Sequence, residues 1–206
     1  MHVACLDLEG VLVPEIWIAF SEKTGIKELR LTTRDIPDYD VLMKQRIAIL
    51  EEHKLTLKDI QEVIGGMDPL PGAGEFLESL RSKVQVIILS DTFTQFAQPL
   101  MRKLRWPTLF CNTLEIDGNS MISGYRLRQQ NGKKHAVLAL QSINMRVAAA
   151  GDSYNDIQMI QTADAGTLFR APESIRKEFP AIPAVDSYAD LESSLLAGLF
   201  PSAGTK

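Results

Sequence analysis

Runs of apolar residues in this chain are short, and most of them break off at an acid, a glycine or a proline. Val3-Ala4-Cys5-Leu6 is too brief for a helix and reads as a buried strand of a parallel sheet, ending at Asp7-Leu8-Glu9-Gly10-Val11. The next buried strand is predicted over Val84-Gln85-Val86-Ile87-Ile88-Leu89. The interval between the two is far longer than one crossover helix needs, so something is inserted there. The insert has helical spacing: Ile16 to Lys23 stopping at Gly25, Tyr39 to His53, and a third helix opening on the capping-box pattern Thr56-Leu57-Lys58-Asp59. That third helix carries Leu57, Ile60, Val63 and Ile64 on one face and stops at Gly65-Gly66. Pro69, Pro71, Gly72 and Gly74 punctuate the return, and Glu75 to Arg81 is a short amphipathic helix.

From Val84 onward strands and helices alternate, the signature of a doubly wound, Rossmann-like parallel sheet. Helices are predicted over Thr94 to Leu104, Lys134 to Ser142, Tyr154 to Thr162 and Leu191 to Leu199. Strands are predicted over Leu109 to Thr113, Val147 to Ala150, Thr167 to Phe169 and Ile182 to Val185, with an Asp117-Gly118 hairpin turn inside Glu115 to Ile122. The expected fold is an α/β core over residues 1–14 and 72–206, with a helical cap over residues 15–71; Pro201 to Lys206 reads as a frayed tail.

Composition narrows the partners. With 206 residues, a formal net charge of -4 and no basic tract, nothing favours nucleic acid or an anionic membrane, and a small metabolite is the expected partner. No apolar run approaches the ~20 residues of a membrane span and no leader pattern precedes the first strand, so a cytoplasmic location is expected. Cys5 and Cys111 lie in strand-like runs without metal-ligand spacing and read as reduced thiols.

The candidate chemistry gathers where strands stop, the edge at which open parallel sheets bind ligands. Asp7 and Glu9, two apart, point the same way if the strand continues; two carboxylates beside an apolar strand call for a divalent metal or a shared proton. Ser90-Asp91-Thr92 follows the second strand, with the amides of the next helix start close by, a phosphate site in outline. Gly151-Asp152-Ser153-Tyr154-Asn155-Asp156 follows a third strand, with Asp156 one helical turn beyond Asp152. Lys133 and Lys134 open a helix, where the dipole disfavours a cation, and either could be a ligand for an anion. Acids at two strand ends, a hydroxyl at another and a lysine between them suit phosphoryl transfer, which needs positioning and charge neutralisation. A receiver-like signalling domain also combines an Asp, a hydroxyl and a Lys, but lacks a helical insert.

In order and context, Asp7-Leu8-Glu9-Gly10-Val11, Ser90, Lys133 or Lys134, and Gly151-Asp152-x-x-x-Asp156 resemble the four motifs of the haloacid dehalogenase superfamily. The helical insert resembles its C1 cap. The resemblance implies an Mg²⁺-dependent phosphatase in which Asp7 is the nucleophile and Glu9, where most of the superfamily's phosphatases have Asp, is the acid and base. It further implies that Asp7, Asp152 and the main-chain carbonyl of Glu9 hold the metal, with Asp156 behind them. The chain resembles the phosphoserine phosphatase branch in particular. On that resemblance Glu15 binds the substrate ammonium, Arg46 its carboxylate, and Ser90, Asp91, Lys133 and Asn155 complete the substrate contacts. The type within that branch that also passes the phosphoryl group to homoserine is the nearest match, which implies roles in serine and threonine biosynthesis. Another small phosphomonoester, or metal-free dehalogenation, are the alternatives within the superfamily.

Overall fold

A computed structural model describes residues 1–32, 35–36 and 38–201; the tail expected to fray lies, beyond Pro201, outside the described residues. The chain opens with β1 (His2–Leu6), then α1 (Ile16–Thr24), a 3-10 turn over Lys27–Arg30, α2 (Tyr39–Glu52), α3 (Leu57–Gly66) and α4 (Ala73–Arg81). There follow β2 (Gln85–Phe93), α5 (Thr94–Lys103), β3 (Thr108–Ile116), β4 (Ile122–Arg126), α6 (Gly132–Ser142) and β5 (Arg146–Gly151). A 3-10 turn over Tyr154–Asp156 leads to α7 (Ile157–Thr162), β6 (Ala165–Phe169), α8 (Glu173–Glu178), β7 (Ala184–Val185) and α9 (Tyr188–Leu199). Among the described residues no helix is long and apolar enough to cross a membrane.

The seven strands form one sheet in the order β4-β3-β2-β1-β5-β6-β7, parallel except for the antiparallel β3–β4 hairpin. The chain winds outward from β1 through β2 to β3, then returns to β5 on the other side of β1. The order therefore reverses at β1/β5, and a crevice opens there at the carboxyl ends of the strands. Alternation along β1 feeds both faces of the sheet. Ala4 and Leu6 join the apolar layer that takes in α4, α5 and α9, whereas Val3 and Cys5 face α6 and α7. Burial pushes the Cys5 thiol up to about 12, and neither cysteine is in a disulfide, as the reduced-thiol reading expects.

The helices between β1 and β2 share the Leu6-containing layer: Phe20, Leu50, Ile60 and Ile64 are buried in it. Thr56 caps α3 with the expected capping box. Polar links tie this helical group to the sheet. Leu57 N donates to Ser120 O at 3.0 Å, Gln61 Nε2 to Gln95 O at 2.8 Å, and Tyr125 of β4 donates to Asp40 Oδ1 at 2.7 Å.

Several boundaries differ from expectation. β2 runs on through Ser90 to Phe93 and not to Leu89, because four steps along β2, from Leu89 to Phe93, face only two on β3, from Phe110 to Asn112, and the surplus bulges toward the crevice. The hairpin turn extends over Asp117 to Met121, with Asp117 Oδ1 accepting from Asn119 N and Met121 N and with Ser120, not Gly118, at positive φ. The helix expected from Tyr154 begins at Ile157 because the Asp156 side chain turns back on the preceding amides. The Lys27–Arg30 turn and α8 were not expected.

Candidate active site

β1 ends at Leu6, so Asp7 and Glu9 do not lie on a continuing strand. Leu12 N and Val13 N both donate to Leu8 O, and Gly10 takes φ 78°, which folds the chain into a tight loop just past the strand. Both acids nevertheless line one cavity of about 110 Å³ together with Glu15, Arg46, Ser90, Asp91, Lys133, Asp152 and Asn155, all of them residues expected to act. Gly10 is required there for a steric reason as well. A Cβ on it would lie 2.5 Å from Asp152 Cγ, so the β1 loop and the Asp152 loop meet only because a hydrogen stands at that position.

At the floor of the cavity lies Lys133, 5% exposed. Its Nζ is 2.9 Å from Asp7 Oδ1, 2.7 Å from Asp156 Oδ1 and 3.7 Å from Asp91 Oδ2. Burial lowers the affinity of its ammonium for the proton, but Asp156, Asp7 and Asp91 outweigh that and raise it well above the usual lysine range. Position 133 and not 134 thus faces the acids; Lys134 lines an adjoining groove of about 450 Å³. The unfavourable dipole at the start of α6 is offset by these carboxylates.

Asp156 is fully buried, with Oδ1 taken by Lys133 and Oδ2 accepting from Asp152 N and Ser153 N, each at 3.1 Å. It organises the loop rather than facing the cavity. Burial first, then the charges of Asp156 and Asp152, raise the Asp7 carboxyl well above the ordinary range against the pull of Lys133. Its Oδ1 also accepts from Leu8 N at 2.7 Å. Glu9 accepts from Ile16 N at 2.8 Å; burial and the neighbouring Glu15 push it up to about 7, opposed by that amide, Arg46 and the Thr92 hydroxyl.

Ser90 is buried and its Oγ accepts from Thr92 N at 3.2 Å, so the bulge, not the start of α5, brings polar groups to this edge. Asp91 lines the cavity as expected. Its carboxylate accepts from Asn155 Nδ2 at 3.0 Å, holding Asn155 at the rim, and a carboxylate would repel a phosphate. Glu15 precedes α1 at its N-cap position and lines the cavity together with Arg46. Arg46, 6% exposed, donates from Nη2 to Leu31 O at 2.7 Å, and its Nε has no partner among the described residues.

Asp7, Asp152 and Asp156 each place a carboxylate oxygen so that all lie within 4.8 Å of one another. Among the described residues five carboxylates and two cationic side chains line the cavity, and an all-oxygen carboxylate set suits a hard divalent cation. The residues fit such an ion.

A model of the haloacid dehalogenase-like hydrolases matches residues 1–164. The chain belongs to that family. This membership decides against the receiver-like alternative. Among relatives of this hydrolase, the phosphoserine phosphatase ThrH of Pseudomonas aeruginosa is 61% identical over 196 residues, which is 95% of this chain and 96% of the relative. A phosphoserine phosphatase of Pseudomonas syringae pv. tomato is 58% identical over 196 residues, 95% of this chain and 83% of its own. A crystal structure of a phosphoserine phosphatase in apo form shares the hydrolase's fold with a TM-score of 0.74, at 20% identity, over 91% of this chain and 94% of that one.

Sequence reasoning passed over Thr92, Tyr39 and Trp17, which also line the hydrolase's cavity. Thr92 had a usable signal, since it stands two residues from Ser90 and so shares its side of an extended strand. Tyr39, whose hydroxyl donates to Asp91 O at 3.3 Å, and Trp17 gave none, because aromatic residues on amphipathic helices are indistinguishable from core residues until the helices are placed.

Proposed function

We propose that this hydrolase is an Mg²⁺-dependent phosphoserine phosphatase that works through an aspartyl phosphate on Asp7 and can also pass the phosphoryl group to homoserine. The observation that carries the reading is that one cavity is lined by two chemically distinct sets of side chains. One set is Asp7, Asp152, Ser90 and Lys133, suited to a phosphoryl group; the other is Glu15 and a buried Arg46, suited to the ammonium and carboxylate of an amino acid. The names of the Pseudomonas relatives support the substrate.

Asp7 and Asp152 would hold the ion, with Asp156 fixing both loops from behind. When bound, Mg²⁺ supplies the positive charge that lets a carboxylate approach a phosphate. Lys133 fixes Asp7 through Oδ1, which leaves the other carboxylate oxygen to attack phosphorus and displace the serine alkoxide. Glu9, with its pKa raised to about 7, is largely protonated in slightly acidic solution and can give its proton to that alkoxide. The ionised Glu9 then takes a proton from the acceptor hydroxyl as the acyl phosphate is discharged. Water and homoserine compete for this step, because homoserine keeps both charged groups that Glu15 and Arg46 hold. Residues 15–71 act as a cap that must open between serine release and acceptor entry.

Trapping with beryllium fluoride and solving the structure tests the nucleophile: the adduct is expected on Asp7, and an adduct elsewhere rules the mechanism out. Full activity in EDTA would favour metal-free dehalogenation instead. Arg46→Ala or Glu15→Gln is expected to weaken kcat/KM for phosphoserine roughly 30-fold or more while sparing an aryl phosphate, because a buried charge loses its partner. Equal losses on both substrates would make these residues structural. Phosphorus NMR with excess homoserine is expected to show phosphohomoserine beside inorganic phosphate; phosphate alone at every homoserine concentration would remove the transferase part.

A further inference from the structure

Arg46 is a buried cation with no ion pair among the described residues. What holds it is Trp17. The guanidinium carbon lies 4.4 Å from the Trp17 ring centroid, over the ring, and the indole is itself fixed edge-on against Phe20 at 6.4 Å and Phe96 at 5.6 Å. Phe20 lies on α1 with Trp17, and Phe96 lies on α5 beside the sheet, so the indole is braced from both the helical insert and the core. Trp17 is 9% exposed, and part of it forms the cavity wall.

A guanidinium offers hydrogen bonds only in its own plane. An aromatic face under it therefore leaves the donors free at the edges and sets the direction in which they point. Its two terminal nitrogens are used: Nη2 donates to Leu31 O at 2.7 Å and Nη1 to Met43 Sδ at 3.9 Å. The remaining Nε is buried and unpartnered, a costly state for a cationic donor unless a ligand completes it.

We infer that Trp17 is a positioning residue for amino-acid phosphates, its indole face fixing the plane of Arg46 so that the unpartnered edge of the guanidinium meets the substrate carboxylate. This rests on the proposed role of Arg46. It adds a second determinant of specificity that never touches phosphorus and acts through Arg46, and it assigns the α1 aromatic a task besides packing.

The test compares Trp17→Leu and Trp17→Phe with wild type on phosphoserine and on an aryl phosphate without a carboxylate. For Trp17→Leu the phosphoserine KM is expected to rise about tenfold, the upper part of the range for a desolvated cation over an indole. Its kcat on the aryl phosphate is expected to hold, and Trp17→Phe, which keeps a smaller face, is expected to fall between. An unchanged phosphoserine KM in Trp17→Leu overturns the inference. So do parallel losses on both substrates, which would make the indole mere packing. A second measurement does not depend on the variant folding. Of the chain's two tryptophans, Trp106 is 60% exposed and far from this role, so Trp106→Phe leaves Trp17 as the sole indole. Serine, at concentrations that inhibit hydrolysis competitively, is expected to change Trp17 emission as its carboxylate docks on the stacked guanidinium; no change overturns the inference. Arg46→Ala separates the two readings. If it leaves phosphoserine unaffected, the proposed carboxylate clamp fails; if it weakens phosphoserine, the Trp17 results judge the inference alone.

Discussion

Glu9 shows how one half-buried side chain ties activity to stability. In the metal-free protein its pKa is raised from 4.5 to about 7, chiefly by burial. Between those values the folded chain holds a proton that the unfolded chain has released, so unfolding sheds a proton and stability falls as pH rises through the window. The size is about 3 kcal/mol, from 1.36 kcal/mol per unit. Urea unfolding in EDTA at pH 4.5, 5.5, 6.5 and 7.5 is expected to show this decline, to which the raised Asp7 carboxyl adds with the same sign, and Glu9→Gln is expected to remove Glu9's share; a slope unchanged in the variant would assign the effect elsewhere. Gly10 carries a different constraint. Gly10→Ala puts a methyl 2.5 Å from Asp152 Cγ at φ 78°, so it is expected to cost about 1–3 kcal/mol and to remove most activity by parting the two acid loops. Activity near wild type with normal stability would show that the loops can separate harmlessly.

Among the elements, α3 offers the cleanest separation of fold from chemistry. Thr56 and Asp59 close a capping box at an exposed helix start, and neither lines the cavity. Thr56→Ala is expected to lower stability by about 1 kcal/mol in urea while leaving kcat unchanged. The capping box could be read directly because its signal is local: a hydroxyl, an acid three residues on, an apolar face. The central strands were equally readable, since Val3 to Leu6 of β1, Val86 to Leu89 of β2 and Val147 to Ala150 of β5 are unbroken apolar runs. The end of β2 was not. Whether the strand stops at Leu89 or bulges through Thr92 depends on β3, more than fifteen residues on, and no local pattern carries that register. The start of α7 failed for a related reason: Asp156 looks like a helix residue until Lys133, 23 positions earlier, draws its carboxylate inward. Of the site residues, those at strand ends were legible. Their pairings with one another, such as Asp91 with Asn155, were not.

Over the whole molecule, the last helix supports the first loop. Tyr188 of α9 donates to Val11 O at 2.6 Å and stacks on Phe76 at 4.9 Å, while Leu191, Leu195 and Leu199 are buried under the sheet. Leu195→Ala is expected to cost about 2–5 kcal/mol, read by chemical unfolding. A loss below 1 kcal/mol would mean that α9 is peripheral. The same arrangement has a consequence during synthesis. β1 is made before the strands that flank it, which follow some eighty and 140 residues later. Its brace at Tyr188 comes later still. Until then a strand apolar on both faces stands with bare edges, a natural client for a chaperone that shields extended segments. The nascent chain therefore has no working acid loop until α9 has been translated.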